Sequence, residues 1–177
     1  MLRFMPSIQR TFGTQTEGGP LDDTNRELLV QLQGDARLSL AELGRRVGLS
    51  PPAVAERLQR LERDGVIRGY RAEIDPAALG YGLSAIIRVR PLPRQLQRIA
   101  DIVRETPAVV ECHRITGEDC YLIKAHIRSM GHLEEILDAL APYGQTTTSI
   151  IQSSPVEGRG VAVPGRRLSA ARTGTAA

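Results

Sequence analysis

Hydrophobic residues are spaced in two different ways along this chain. Between Leu21 and about Asp75 they recur every three or four positions, which is the period of helices buried on one side. Asp22 is placed to cap a helix carrying Leu28, Leu29 and Leu32 inward, with its end near Gly34. Ser39-Leu40-Ala41-Glu42 has the form of a capping box, in which serine and glutamate each satisfy a free N–H. It opens a short helix with Leu40, Leu43 and Val47 inward, ended by Gly48. The link Gly48-Leu49-Ser50 is so short that the next helix must turn sharply away, as in a helix-turn-helix.

That third helix has two well-marked ends. Ser50 is a favourable N-cap, and Pro51 and Pro52 fit a first turn whose amide hydrogens have no partner in any case. Val54, Leu58 and Leu61 form its buried stripe, and Gly65 stands where a left-handed cap ends such a helix. Pro52, Ala53, Glu56, Arg60 and Arg63 point away from the stripe, with Arg57 on its flank. Val66 to Ile74 reads as an extended segment closed by Asp75-Pro76.

From Ser84 onward the spacing changes to alternation. Ser84 to Arg90, Val109 to Ile115, Tyr121 to Ile127 and Gln145 to Gln152 read as strands, and Gln95 to Glu105 and Leu133 to Leu140 as helices. Thr116 to Asp119 is a hairpin-sized link. The order βαββαβ is that of a ferredoxin-like domain, an antiparallel sheet with its helices on one face. Tyr121, Ile123, Ala125 and Ile127 are expected toward the helices. The opposite face, with Cys120, Leu122, Lys124 and His126, is left half-apolar and uncovered, which predicts a homodimer built through this unit.

The expected organisation is a disordered leader over 1–20, a helix-turn-helix domain over 21–75, a ferredoxin-like domain over 76–154 and a disordered basic tail over 155–177. The 177 residues accommodate two such small domains. Residues 1–20 lack the apolar run of a signal peptide, and no segment has the length of a membrane span, so a cytoplasmic location is expected. Cys112 and Cys120 read as free thiols.

Charge changes the picture only where it is concentrated. The net charge is +3, and that excess lies in the two ends, including Arg159, Arg166, Arg167 and Arg172 of the tail. Within residues 44–71, however, seven arginines face only Glu56, Glu62 and Asp64. The basic signal therefore belongs to the third helix and its flanks, as a nucleic-acid surface requires.

These residues carry a family resemblance. Leu21-Asp22, Leu38-Ser39, Glu42-Leu43, Gly48-Leu49-Ser50, Arg57-Leu58, Leu61-Glu62, Gly65-Val66-Ile67 and Gly69-Tyr70 closely resemble the DNA-binding domain of the Lrp/AsnC, or feast/famine, regulators. Pro107, Val110-Glu111, Thr116-Gly117-Glu118-Asp119-Cys120-Tyr121-Leu122 and Thr146-Thr147-Thr148-Ser149-Ile150 resemble that family's effector-sensing domain. The likeness covers roughly residues 21–152. It implies an α+β protein with an N-terminal winged helix-turn-helix, whose third helix lies in a major groove of double-stranded DNA.

By that resemblance Ser50, Pro52 and Ala53 approach the DNA, and Arg57 and Arg60 reach a phosphate or a guanine edge. The plainer reading of Arg60 is an i to i+4 pair with Glu56. Thr116, Gly117, Glu118, Asp119, Thr146, Thr148 and Ser149 are the positions implied for an amino acid or related metabolite, bound at an interface between dimers. Homodimers assembling to higher oligomers such as an octamer are implied as well. Asn25, where many relatives carry aspartate, is expected to alter a cap or a surface pair. Cys120 departs from the acidic or polar residue usual at its place, which bears on which ligand is bound.

No cofactor, metal or catalytic residue is expected. Cys112, His113, Cys120 and His126 are zinc-ligand types, but a turn at 116–119 would pair Ile115 with Cys120 and Cys112 with Ile123, which keeps the thiols apart. No nucleophile elbow or phosphate loop is present. The enzyme alternative is a sirohaem decarboxylase of the same two-domain plan, resembled faintly by His113-Arg114. The absence of Trp, the confinement of Phe to the leader and the intact third helix weigh against it.

Overall fold

The computed structural model describes residues 21–164. The expected leader, and the tail beyond Pro164, lie outside the described residues. The chain divides into two compact units, one of residues up to Arg71 joined by those from Gly160, the other Ala72–Arg159.

The first unit contains α1 (Asp23–Gly34), α2 (Leu40–Val47) and α3 (Pro51–Arg63). Asp22 caps α1 by accepting the Asn25 amide at 2.7 Å, and Ser39 caps α2 by accepting that of Glu42 at 3.1 Å. The reciprocal half of the capping box is not formed; the Glu42 carboxylate instead accepts from Arg46 at 2.8 Å. Leu28, Leu43, Val54, Leu58 and Leu61 make the core. Leu40, the first residue of α2, is 41% exposed rather than inward.

α3 ends in a Schellman motif. Gly65, at φ 69°, donates to Glu62 O, and Val66 donates to Leu61 O at 2.9 Å. Val66 and Ile67 consequently belong to the helix end and pack on the core, whereas residues 68–75, expected as an extended segment, join no strand ladder and form no regular element.

The second unit begins with a 3₁₀ turn, Ala77–Leu79, followed by β1 (Leu83–Pro91), α4 (Leu96–Glu105), β2 (Val109–Arg114), β3 (Tyr121–Ile127), α5 (Met130–Leu140) and β4 (Gly144–Ile150). The sheet order is β2-β3-β1-β4 with every neighbouring pair antiparallel, which is the ferredoxin-like arrangement. Ala85, Ile87, Val89, Tyr121, Ile123, Ala125 and Ile127 pack against Ile99 and Val103 of α4 and Leu133, Ile136 and Leu140 of α5. Burial alternates without a break along β3, as its sequence predicts.

α5 starts one turn earlier than its apolar residues suggest, because Ser129 accepts the His132 amide at 3.2 Å and caps it. Residues from 155 to Pro164 have no regular element, but the segment is not wholly free as expected of a disordered tail. Val163 is buried at 6% exposure, and it groups with the helical unit.

Candidate functional site

The outward side of α3 presents Pro51, Pro52, Glu56, Gln59, Arg60 and Arg63 to solvent, with Ala53 and Arg57 half-buried. Ser50 holds the extended N-cap conformation, but its hydroxyl caps nothing, so it remains exposed at the leading end. Pro51 and Pro52 carry no amide hydrogen, which leaves Ala53 as the first residue of α3 with a donor for an anion. The electrostatic pull of this end is therefore weaker than that of an ordinary helix N-terminus. Leu49, Ala53, Glu56, Arg57 and Arg60 line a shallow depression beside it.

The two central arginines differ in what holds them. Arg60 is 62% exposed and lies 3.6 Å from the still more exposed Glu56, one helical turn away. Such a pair is solvated and contributes ~0.3–0.5 kcal/mol, so it yields readily to a phosphate. Arg57 donates from Nη1 to Asp22 Oδ2 at 2.6 Å and to Asn25 Oδ1 at 3.0 Å. The guanidinium, and after it the Asn25 amide, hold the Asp22 carboxyl below its ordinary range. Asn25, expected at a cap or a surface pair, does join the α1 cap through its amide, but its side chain is 6% exposed and pairs with Arg57 rather than at the surface. Sequence reasoning missed this link because the partners are 32 and 35 residues apart.

In the sheet unit, Gly117 turns the β2–β3 hairpin with φ 111°, a conformation that favours glycine. The Ile115 amide donates to Cys120 O at 2.9 Å, and Cys112 stands opposite Ile123, the pairing expected. Both thiols are free. Among the described residues no three His, Cys, Asp or Glu side chains gather as a metal site would require.

The hairpin acids are not left alone. Glu118 pairs with Arg90, and Asp119 lies 3.5 Å from Arg88. Both arginines alternate with the buried Ile87 and Val89 and so project from the sheet face away from the helices. They signal their direction in the sequence through that alternation, which made them findable.

Register then divides the threonine-rich strand. Thr146 faces Val89 and Thr148 faces Ile87, so their side chains share the helix side of the sheet. Thr147 faces Arg88 and Ser149 faces Ile86, on the open side. Thus Ser149, but neither Thr146 nor Thr148, shares the face of Arg88 and Arg90. On that same face the Ser84 hydroxyl is 2.8 Å from His126 Nδ1, and Lys124 pairs with Glu111 at 3.6 Å. Burial depresses the pKa of His126, with Lys124 adding to the effect. His113 is opposite Leu122 and Arg114 opposite Tyr121, so the two leave β2 on opposite faces and do not converge on one site.

Residues 21–62 match the AsnC-type helix-turn-helix domain, and residues 84–161 match the Lrp/AsnC ligand binding domain. With a helix-turn-helix module and a ligand-binding module in that order, the chain belongs to the Lrp/AsnC family of transcriptional regulators. It is 35% identical to the regulator LrpC of Bacillus subtilis over 133 residues, covering 75% of this chain and 92% of that one. It is 36% identical to the regulator LrpA of Mycobacterium tuberculosis, covering 77% and 89%.

Among solved structures, a Neisseria meningitidis transcriptional regulator in complex with L-methionine aligns with a TM-score of 0.77 at 32% identity, covering 81% of this chain and 97% of that one. A feast-or-famine regulatory protein of M. tuberculosis complexed with L-methionine aligns at 0.75 and 34% identity, covering 81% and 99%. Among the described residues no helix is long and apolar enough to cross a membrane.

Proposed function

We propose that this chain is a cytoplasmic, non-enzymatic regulator that binds double-stranded DNA with α3 and responds to an amino acid or related small metabolite. The observation carrying the first half is the outward face of α3, where small side chains at Ser50, Pro52 and Ala53 lead and the exchangeable Arg60 follows. Small residues let the helix end approach base edges closely, while Arg60 supplies charge to a phosphate or a guanine.

For the effector, the Thr116 to Asp119 turn offers two carboxylates for an α-ammonium group, and Arg88 and Arg90 beside them suit a carboxylate. A zwitterion would exchange partners with these pairs rather than meet a bare charge. Gly117 leaves room for close approach, and Ser149 adds a hydroxyl on the same side. Thr146 and Thr148 act from the other face, by shaping β4. The L-methionine complexes of two structural relatives support an amino-acid ligand.

The protein works as a homodimer through the open sheet face, assembling to higher oligomers such as an octamer. Effector bound between dimers changes that assembly, and with it the set of DNA half-sites engaged at once. The test is binding to the DNA upstream of the chain's own gene across a salt series, with and without a pool of amino acids, alongside light scattering. Salt-sensitive, sequence-dependent binding that shifts with one amino acid and with particle mass is expected. Binding no better than to random DNA would overturn the proposal.

A further inference from the structure

We propose that Arg57 is a positioning residue that fixes how α3 is presented to DNA, and that it touches neither phosphate nor base; this rests on the DNA-binding reading above. Its single nitrogen Nη1 serves both Asp22 Oδ2 at 2.6 Å and Asn25 Oδ1 at 3.0 Å. Asp22 in turn accepts the Asn25 amide on its other oxygen at 2.7 Å. One carboxylate thus caps α1 and ties the middle of α3 to that cap.

These helices also meet in an apolar core. Leu28 of α1 and Val54, Leu58 and Leu61 of α3 share one core with Leu43 of α2. Apolar packing is non-directional, so it resists separation better than it resists rotation of α3 about its own axis. Arg57 lies on the flank of the buried stripe, where a charge-assisted bond opposes that rotation. Rotation is what recognition cannot tolerate, because it would carry Ser50, Pro52, Ala53 and Arg60 away from the groove together.

The charges argue the same way. The Asp22 carboxylate offsets the Arg57 charge within hydrogen-bond distance, and a phosphate taking Arg57 would have to displace the guanidinium from both Asp22 Oδ2 and Asn25 Oδ1. Arg60 faces no such loss, since its partner Glu56 is 75% exposed and 3.6 Å away.

Four variants of the full chain separate the roles: Arg57→Ala, Arg57→Lys, Asp22→Asn and Arg60→Ala. Asparagine is itself a good N-cap, so Asp22→Asn removes the ion pair while sparing α1. Each is compared for affinity to the upstream DNA and to a random duplex across a salt series, at a temperature where circular dichroism shows it folded. Arg57→Ala, Arg57→Lys and Asp22→Asn are expected to lower the preference for the upstream DNA by roughly tenfold, about the cost of one lost base contact. Their salt slopes should match the unsubstituted chain, whereas Arg60→Ala should flatten its slope by about one.

Restored preference with Arg57→Lys, a slope flattened by Arg57→Ala, or an unaltered preference in folded Arg57→Ala would each overturn the positioning role. Absence of any preference in the unsubstituted chain would overturn the DNA-binding reading and this role with it.

Discussion

A Cβ atom added to Gly44 would stand 2.4 Å from the carbonyl oxygen of Leu49. The Leu49 amide donates to the Gly44 oxygen at 2.9 Å, so the turn between α2 and α3 closes directly over this glycine. No flexible side chain is available to give way, because the obstructing atom is backbone. Gly44→Ala should therefore destabilise the helical unit by about 1–3 kcal/mol, the usual cost of overpacking. Gly48→Ala meets no atom within 4 Å and strains only its φ of 71°, which predicts a smaller loss of about 1 kcal/mol. Thermal melts of both variants check the order; a Gly44→Ala melt at or above that of Gly48→Ala would refute it.

Asp22 predicts an acid limb to stability. Its folded pKa lies below the ordinary value, through Arg57 first and the Asn25 amide second. A group depressed on folding stabilises the native state above its unfolded pKa, near 3.9, and loses that contribution as pH falls through the lower folded value. Asp22→Asn should be less stable than the unsubstituted chain at neutral pH, and the gap should start to shrink as pH falls below about 3.9 and close once it passes the lower folded value. Urea titrations at several pH values read this directly. A gap that stays constant down to acid pH would show that the carboxylate contributes nothing through its charge.

At the hairpin the two acids should not be equivalent. Asp119 has a side chain 24% exposed, whereas that of Glu118 is 82% exposed. A charge-assisted bond is stronger where water competes less. Asp119→Asn should weaken binding of the amino acid that shifts DNA affinity by about tenfold or more, the equivalent of a charged hydrogen bond of ~1.5–3 kcal/mol. Glu118→Gln should weaken it less. Calorimetric titration with that amino acid measures both, and a larger effect at Glu118 would contradict the argument.

Val163 should behave as a residue of the helical unit. Burying a valine is worth ~1.5–3 kcal/mol relative to exposing it, so Val163→Asp should lower the melting temperature of that unit by several degrees. Gly160→Ala should be close to neutral, although a Cβ there would meet Gln33 Oε1 at 2.3 Å, because the end of a glutamine side chain can move aside. An unchanged melt for Val163→Asp would mean that its burial contributes no stability.

Periodicity and end signals were enough to place most of this molecule. Both ends of α3, the unbroken alternation of β3, the Cys112–Ile123 pairing and the order βαββαβ were legible, because each depends on residues within one or two turns or across one short hairpin. The first turn of α5 was readable too, through Ser129, but its stripe of apolar residues starts later than its cap. The short-range rules also brought Thr116 to Asp119 into one turn.

What needed tertiary structure were relationships with no local period. The sequence by itself determined the two modules, the outward face of α3 and the sheet-side alternation. Only the packed structure decided that Arg57 is engaged by Asp22 and Asn25, that Arg88 and Arg90 stand over the hairpin acids, and that Val163 is buried. It also decided that Thr146 and Thr148 face the helices while Ser149 does not, since a one-residue slip in the β1–β4 register would exchange them. The physical reason is range: capping and amphipathic spacing act over a few residues, whereas an ion pair or a strand register is set by how distant segments are brought together.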